Sequence, residues 1–498
     1  MVCVGAHFRR SRFHGQRLAI ERRICQAARV ALTMNRRKIF RPGAEAALLA
    51  GWPKLFSDET DQRRAPLRIF SPNHAMTRRM AALGLSVLLP LAVWGKDWPQ
   101  WRGPNRDGVW NETGILQTFP AEGLKIRWRR PVGWGWSSPV VVRGRVFLTD
   151  AQLQKPTAKE RIQCFEETTG KLLWTYAYEV TYPEWAFVPG QGGGPSATPI
   201  VEAGKAYLLG ANGYVHCLDA RKGTLLWEKN LRQEYEVREL QCRPSPLIEG
   251  NLLILFSGAK PGACVIALDK QTGKVVWKAL DESVSNSSPL VIVAGGKRQL
   301  IVWTGESVTS LNPTTGEVYW REAMVTSNND AIPTPVVQKN RLLIGGLMLE
   351  LNARQPAATV LWPESRAVAK RILSNTSTAL LWGDHVFSAK SSGELVCLEA
   401  GTGRQVWQAT NVTELKNGAS IHLTLNGDAV FLFTNQGDLI RAQLTPRGYR
   451  EISRAHLLEP TSPFGSRKCA WTPPAYANRH VFARNDEELV CASLAAKR

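Results

Sequence analysis

Beyond residue 95, the side chains able to do chemistry gather in short polar segments between β-rich stretches. These are Trp134-Gly-Trp136, Tyr182-Pro-Glu-Trp185 through Gln191-Gly-Gly-Gly-Pro195, Gln241-Cys-Arg243, Ser285-Asn286, Asn328-Asn329-Asp330, Ser374-Asn375, Lys416-Asn417 and Arg467-Lys468. They are rich in amides, with Arg243, Arg467 and Lys468 as cations and Asp330 as the nearest carboxylate. Asp330, Asn329 and Asn286 could offer oxygens to calcium, but that ion takes about six to eight oxygens with several carboxylates. Glu184 is the one other acid in these segments, which leaves too few carboxylates for calcium, and no metal site is expected. The eight His form no HxxxH or HExxH pair, and neither a GxSxG elbow nor a phosphate loop occurs. Zinc hydrolysis, serine acyl transfer and nucleotide chemistry therefore lack their residues.

A repeat places these segments. Ala267-Leu-Asp-Lys-Gln-Thr-Gly-Lys-Val-Val-Trp277 has counterparts at 164–174, 217–227, 310–320 and 397–407. Each has a small residue first, Asp, Glu or Asn third, Gly seventh and Trp eleventh. A strand ends at Leu-Asp, Gly provides the positive φ of a tight turn, and the following strand carries apolar residues up to Trp. Ser138-Pro139, Thr198-Pro199, Ser245-Pro246, Ser288-Pro289, Thr334-Pro335 and Thr472-Pro473 open a second pattern of strand, Gly turn and strand. The two patterns together predict four antiparallel strands per repeat.

Tryptophans close successive repeats at 174, 227, 277, 320, 362 and 407, which predicts a β-propeller. The fifth repeat lacks Thr-Gly, and the seventh keeps Ala442, Gly448 and Tyr449 without the Trp. The eighth starts at Ala470 and stops after a third strand, while Leu124-Lys-Ile-Arg-Trp128-Arg looks like an outer strand with nothing before it. Pairing the two would close a ring of eight blades and remove its open edges, with seven blades as the fallback.

The net charge of +21 invites a nucleic-acid reading, but residues 1–75 hold fifteen Lys and Arg against five Asp and Glu. The body is only mildly basic, so no nucleic-acid partner is expected. Residues 76–95 carry Met76-Thr-Arg-Arg-Met, a short apolar run and a small-residue stop, the plan of a secretory signal peptide. Residues 1–75 then read as a start assigned too early or a disordered basic extension; a real extension ahead of an internal hydrophobic anchor is the alternative. Residues 96–123 read as a strap and 124–498 as the propeller. Seven Cys follow residue 95, an odd number without CxxC, and their repeat positions suit small buried hydrophobes better than a disulfide framework.

The Ala-x-Asp-x-x-Thr-Gly-x-x-x-Trp unit resembles the tryptophan-docking repeat of pyrroloquinoline quinone (PQQ)-like β-propellers over residues 124–494. Asp97-Trp-Pro-Gln-Trp101-Arg-Gly-Pro-Asn105-Arg-Asp-Gly108 looks like the opening of secreted members of that family, read here as a strap packing two Trp against the propeller. The resemblance implies an all-β fold of eight four-stranded antiparallel blades, with the N-terminal strand closing the last. It also implies one of two functions. The first is an exported periplasmic or secreted binding or scaffold module, monomeric, with no cofactor and no membrane span in the mature chain, its partner a protein or cell-envelope component. The second is a soluble quinoprotein dehydrogenase oxidising an alcohol or sugar with PQQ and calcium. There Asp330 would be the base, Arg243 or Lys468 would hold quinone oxygens, Trp471 would be an aromatic platform, and Asn286 and Asn329 would line the channel mouth. The adjacent cysteine pair of many quinoprotein alcohol dehydrogenases is missing from this sequence.

Overall fold

The four strands expected of each repeat are present in the computed structural model, which describes residues 96–326 and 331–496. Eight four-stranded antiparallel sheets form, seven of them consecutive in sequence from inner to outer strand. Blade 1 runs from Val140–Val142 to Leu172–Val180, and blade 7 from Ile421–Asn426 to Gly448–His456. The eighth blade combines Ala475–Ala477, His480–Arg484 and Glu488–Ser493 with Ile126–Pro131 as its outer strand. Trp128 faces Cys491 and Arg130 faces Leu489 across that pairing, so both chain ends meet in one sheet and the fallback of seven blades is excluded.

Contacts between blades explain the repeat residue by residue. The Trp227 indole lies on Gly273 of the next blade and donates from Nε1 to the Lys270 carbonyl at 3.2 Å. Gly273 has φ +72°, and a Cβ there would stand 2.7 Å from Trp227 Cε3. Gly is therefore required twice over, by backbone conformation and by the ring lying against it. Trp128 on Gly170, Trp174 on Gly223, Trp277 on Gly316 and Trp362 on Gly403 repeat the arrangement. Asp269 secures the turn by accepting from the Gln271 and Thr272 amides, as a carboxylate does in an Asx turn. The small first residue of each unit sits opposite the Trp: Cys217 faces Trp227, Ala267 faces Trp277 and Cys397 faces Trp407.

The worn repeats have structural counterparts. Blade 5 has no glycine in the turn before its outer strand, and Trp320 donates instead to Gln299 Oε1 within its own blade at 2.9 Å. In blade 7, Glu451 stands opposite Ala442 where a Trp would be. The adjoining blade 8 has no turn between its last two strands, because they come from opposite chain ends. Phe119, near the end of the strap, covers that seam by stacking on Phe431, and its amide donates to Ser453 Oγ.

The Ser/Thr-Pro steps link the inner strands. The amide of Ser138 donates to Thr198 Oγ1, that of Thr198 to Ser245 Oγ and that of Ser245 to Ser288 Oγ, each at 3.0 Å. The Thr334 amide donates to Thr378 Oγ1 at the same distance. This arc of hydroxyls satisfies buried backbone donors where strands converge on the axis. The seven Cys after residue 95 are all buried and unpaired, as small hydrophobes would be. No described helix is long and apolar enough to cross a membrane. Residues 1–95, which include the basic extension and the signal pattern, lie outside the described residues.

Candidate ligand-binding site

The inner strands surround a channel, and the strap blocks one end of it. Trp98 exchanges backbone hydrogen bonds of 2.8 and 2.9 Å with Val141 of blade 1, and the Pro99 carbonyl accepts from Val201 of blade 2. Arg106, 3% exposed, donates to the carbonyls of Ser245 and Pro246 at the start of blade 3. Trp101 Nε1 donates to Thr334 Oγ1 at the start of blade 5, at 2.8 Å. Gly108 and Trp110 then bond to Leu425 of blade 7. A segment that touches inner strands on all sides must cross the axis, so the channel becomes a cup open at the other end. The expected role of the strap divides between its two tryptophans. Trp98 packs edge-on against Tyr476 in the core, whereas Trp101 faces the cup.

The cup encloses about 350 Å³. Trp136, Trp471 and Phe464 join Trp101 around it, and Phe464 meets Trp471 edge to face with centroids 5.2 Å apart. Arg243 lines the wall with its guanidinium 5.5 Å from the Trp136 ring centroid, and its Nε donates to the Leu240 carbonyl. Burial lowers its pKa, and among the described residues it forms no ion pair. Asn286, Asn375 and Asn417 supply amides from three further blades. Asn375 Oδ1 accepts from Ser391 Oγ at 2.9 Å, which turns its NH₂ into the available donor. His422 is 2.9 Å from the Trp471 carbonyl through Nε2, and burial pulls its pKa down to about 4. The ring is therefore neutral at pH 7, donating from Nε2 and leaving Nδ1 as an acceptor.

Of the candidates expected from sequence, Arg243, Asn286 and Trp471 share this cup. Lys468 does not: it is exposed on a hairpin formed by Ser462–Phe464 and Arg467–Cys469, where it pairs with Pro463 and points away from the cavity. Hairpin alternation sends Arg467 the other way, onto Glu414 at 2.6 Å. Glu184 is also outside the cup and ion-pairs with Lys155. Asn329 and Asp330 lie in 327–330, outside the described residues. His422, Phe464 and Trp101 were not legible as cup residues, because each lies in a segment whose apolar or turn character explains it without a ligand.

Residues 158–365 and 262–497 each match the family model described as outer membrane protein assembly factor BamB, a PQQ-type repeat family. The chain belongs to the PQQ-like β-propeller family. Among its relatives, the outer membrane protein assembly factor BamB of Burkholderia pseudomallei is 27% identical over 240 residues, 45% of this chain and 58% of that protein. The quinoprotein alcohol dehydrogenase PedH of Pseudomonas putida is 33% identical over 155 residues, 29% of this chain and 26% of that one. The chain thus spans less than two thirds of either relative. The solved quinohemoprotein alcohol dehydrogenase of Comamonas testosteroni superposes with a TM-score of 0.56 at 12% identity, covering 81% of each chain, and shares the fold.

The family includes quinone enzymes, so the cup can be tested for PQQ and calcium. Its described lining residues include no carboxylate and offer only amide and hydroxyl side-chain oxygens, unlike the donor set calcium takes. Arg243 is the single permanent cation among them, too little for a tricarboxylate. The described residues do not fit a calcium-bound quinone.

Proposed function

We propose that this propeller is an exported, non-catalytic binding module of the cell envelope, working as a monomer and receiving an envelope component in its cup. One observation carries the reading. The strap closes one end of the channel, and the open end presents indoles, neutral amides and one guanidinium, which suit recognition rather than proton or hydride abstraction. Similarity to assembly factors of the outer membrane supports it, as does the signal pattern at 76–95.

The second reading, a quinoprotein dehydrogenase with Asp330 as base, draws on the 33% identity to PedH. One assay separates the two. The full chain, purified from the periplasm of a Gram-negative host, is supplied with PQQ and calcium and assayed for dye reduction with alcohols and aldoses. The binding-module reading expects no turnover and a processed N-terminus near residue 95. Turnover that is lost in Asp330→Ala would overturn it.

A further inference from the structure

The lining of the cup narrows what it can bind, and this inference rests on the binding-module reading above. We propose that the cup is a receptor for an acidic saccharide, with a hexuronate ring stacked on the indoles and its carboxylate on Arg243.

Three features select this chemistry together. Trp101, Trp136 and Trp471 present half-buried indoles to one cavity. Aromatic faces carry negative potential and attract the weakly positive C–H faces of a pyranose ring. The remaining polar groups are neutral and between them offer both senses of hydrogen bond, Asn375 a donor, His422 an acceptor and Asn417 either. A sugar with hydroxyls on every side satisfies such a set, whereas a hydrocarbon would desolvate the amides without replacing their hydrogen bonds. Arg243 then provides one positive charge, stacked on Trp136 and without a carboxylate partner among the described residues, so one acidic group on the sugar completes the match.

The same features disfavour other ligands. A planar aromatic polycarboxylate or a nucleotide would bring several negative charges into the cup on one small molecule, whereas a uronate chain places one carboxylate against Arg243 and leaves the rest in solvent. An extended peptide would bind by joining the free edge of an inner strand. The strap already occupies such edges in blades 1, 2 and 7, through Trp98 on Val141, Pro99 on Val201 and Val109 beside Leu425. At about 350 Å³ the cup suits the end of a glycan chain and is too small for a folded partner.

The test is calorimetry and tryptophan fluorescence on the full chain, titrated with tetragalacturonate, with neutral cellotetraose and with benzene-1,3,5-tricarboxylate. Tetragalacturonate is expected to bind at least tenfold more tightly than the other two. Arg243→Gln should bring its affinity down to that of cellotetraose, and Trp471→Ala should abolish binding. Asn417→Ala, at an exposed position whose side chain makes no hydrogen bond among the described residues, should weaken it severalfold with the fold intact. Trp185→Ala, at an exposed indole outside the cup, should change nothing. No binding of tetragalacturonate, equal binding of cellotetraose, tighter binding of the tricarboxylate, or indifference to Arg243→Gln and Asn417→Ala would overturn the proposal. Dye reduction in the assay above would remove the non-catalytic reading and leave the saccharide result standing, so the two failures are distinguishable.

Discussion

The indole of Trp128 lies on Gly170, and its Nε1 donates to the Glu167 carbonyl at 2.8 Å. Trp128 belongs to the first strand of the propeller but is part of the last blade, so the contact holds blade 8 against blade 1. The docking that joins consecutive blades elsewhere here closes the ring.

Gly170 and Gly204 separate the two reasons for glycine. Both have positive φ, +67° and +78°, but a Cβ at Gly170 would stand 2.5 Å from Trp128 Cδ2 while one at Gly204 meets nothing within 4 Å. Gly204→Ala should cost about 1–2 kcal/mol of left-handed strain. Gly170→Ala should cost a further ~1–3 kcal/mol for the displaced indole. Urea unfolding of both variants measures the difference, and equal losses would mean that the ring contact contributes little.

The strap depends on one buried cation. Arg106 donates to the carbonyls of Ser245 and Pro246 and to Gln100, and burial lowers its pKa to about 9. Arg106→Met keeps the bulk but strands those acceptors, at a cost of roughly 1.5–3 kcal/mol for a charged hydrogen-bond donor. Limited proteolysis should then cleave between residues 97 and 110 while the blades stay resistant. An uncut strap in the variant would show that its backbone pairing with Val141 and Leu425 suffices.

His216 makes the fold acid-sensitive. Its side chain is 3% exposed, stacks on Tyr178 with centroids 4.2 Å apart, and leaves Nδ1 buried without a partner among the described residues. Tyr176 packs edge-on, and Glu228 is 3.7 Å from Nε2. Burial pulls its pKa from 6.5 to about 4. The native state then binds fewer protons than the unfolded chain, so its contribution is present above pH 6.5 and is lost as pH falls toward 4, by up to roughly 3 kcal/mol. Neighbouring Glu160, held by Tyr178 and Tyr182, has its pKa raised by burial and works in the opposite sense, losing stability as pH rises past 4.5. His216→Phe should therefore flatten the stability profile between pH 7 and 4. An unchanged slope would assign the acid sensitivity to other groups.

The thiols of the propeller should be inert. Burial pushes Cys164, Cys217 and Cys397 up to about 11 and Cys242 to about 12, so almost no thiolate forms at pH 8. Iodoacetamide is expected to label none of the seven Cys after residue 95 in the native protein and all of them in guanidinium. Native labelling of Cys164, Cys217, Cys397 or Cys491 would contradict their packing opposite the tryptophans, and labelling of Cys242, Cys264 or Cys469 would contradict their burial.

The repeat was legible because each unit encodes a local device. Gly273 with Asp269 specifies a turn, the apolar pair before Trp277 specifies a strand, and the indole must find a flat partner. A missing turn between the last two strands at residue 493 and an orphan strand at 126 likewise implied a closed ring. The cup was only partly legible: Arg243 and Asn286 were reached through their loops and Trp471 as an aromatic platform, but Lys468 lies outside it because hairpin alternation turns Lys468 to solvent and Arg467 onto Glu414.

Periodic spacing by itself therefore determined the propeller and its docking residues and pointed to eight blades joined at the two ends, because those depend on short-range turn chemistry repeated at fixed intervals; the pairing of Trp128 with Cys491 then excluded seven. The tertiary structure decided what the channel is. Trp98, Trp101 and Arg106 lie within nine residues of sequence, yet they contact residues from Val141 to Thr334. No local rule states that a segment preceding the propeller will thread its axis. Only the closed ring creates the interior that the strap can fill, and only the filled interior turns a channel into a cup.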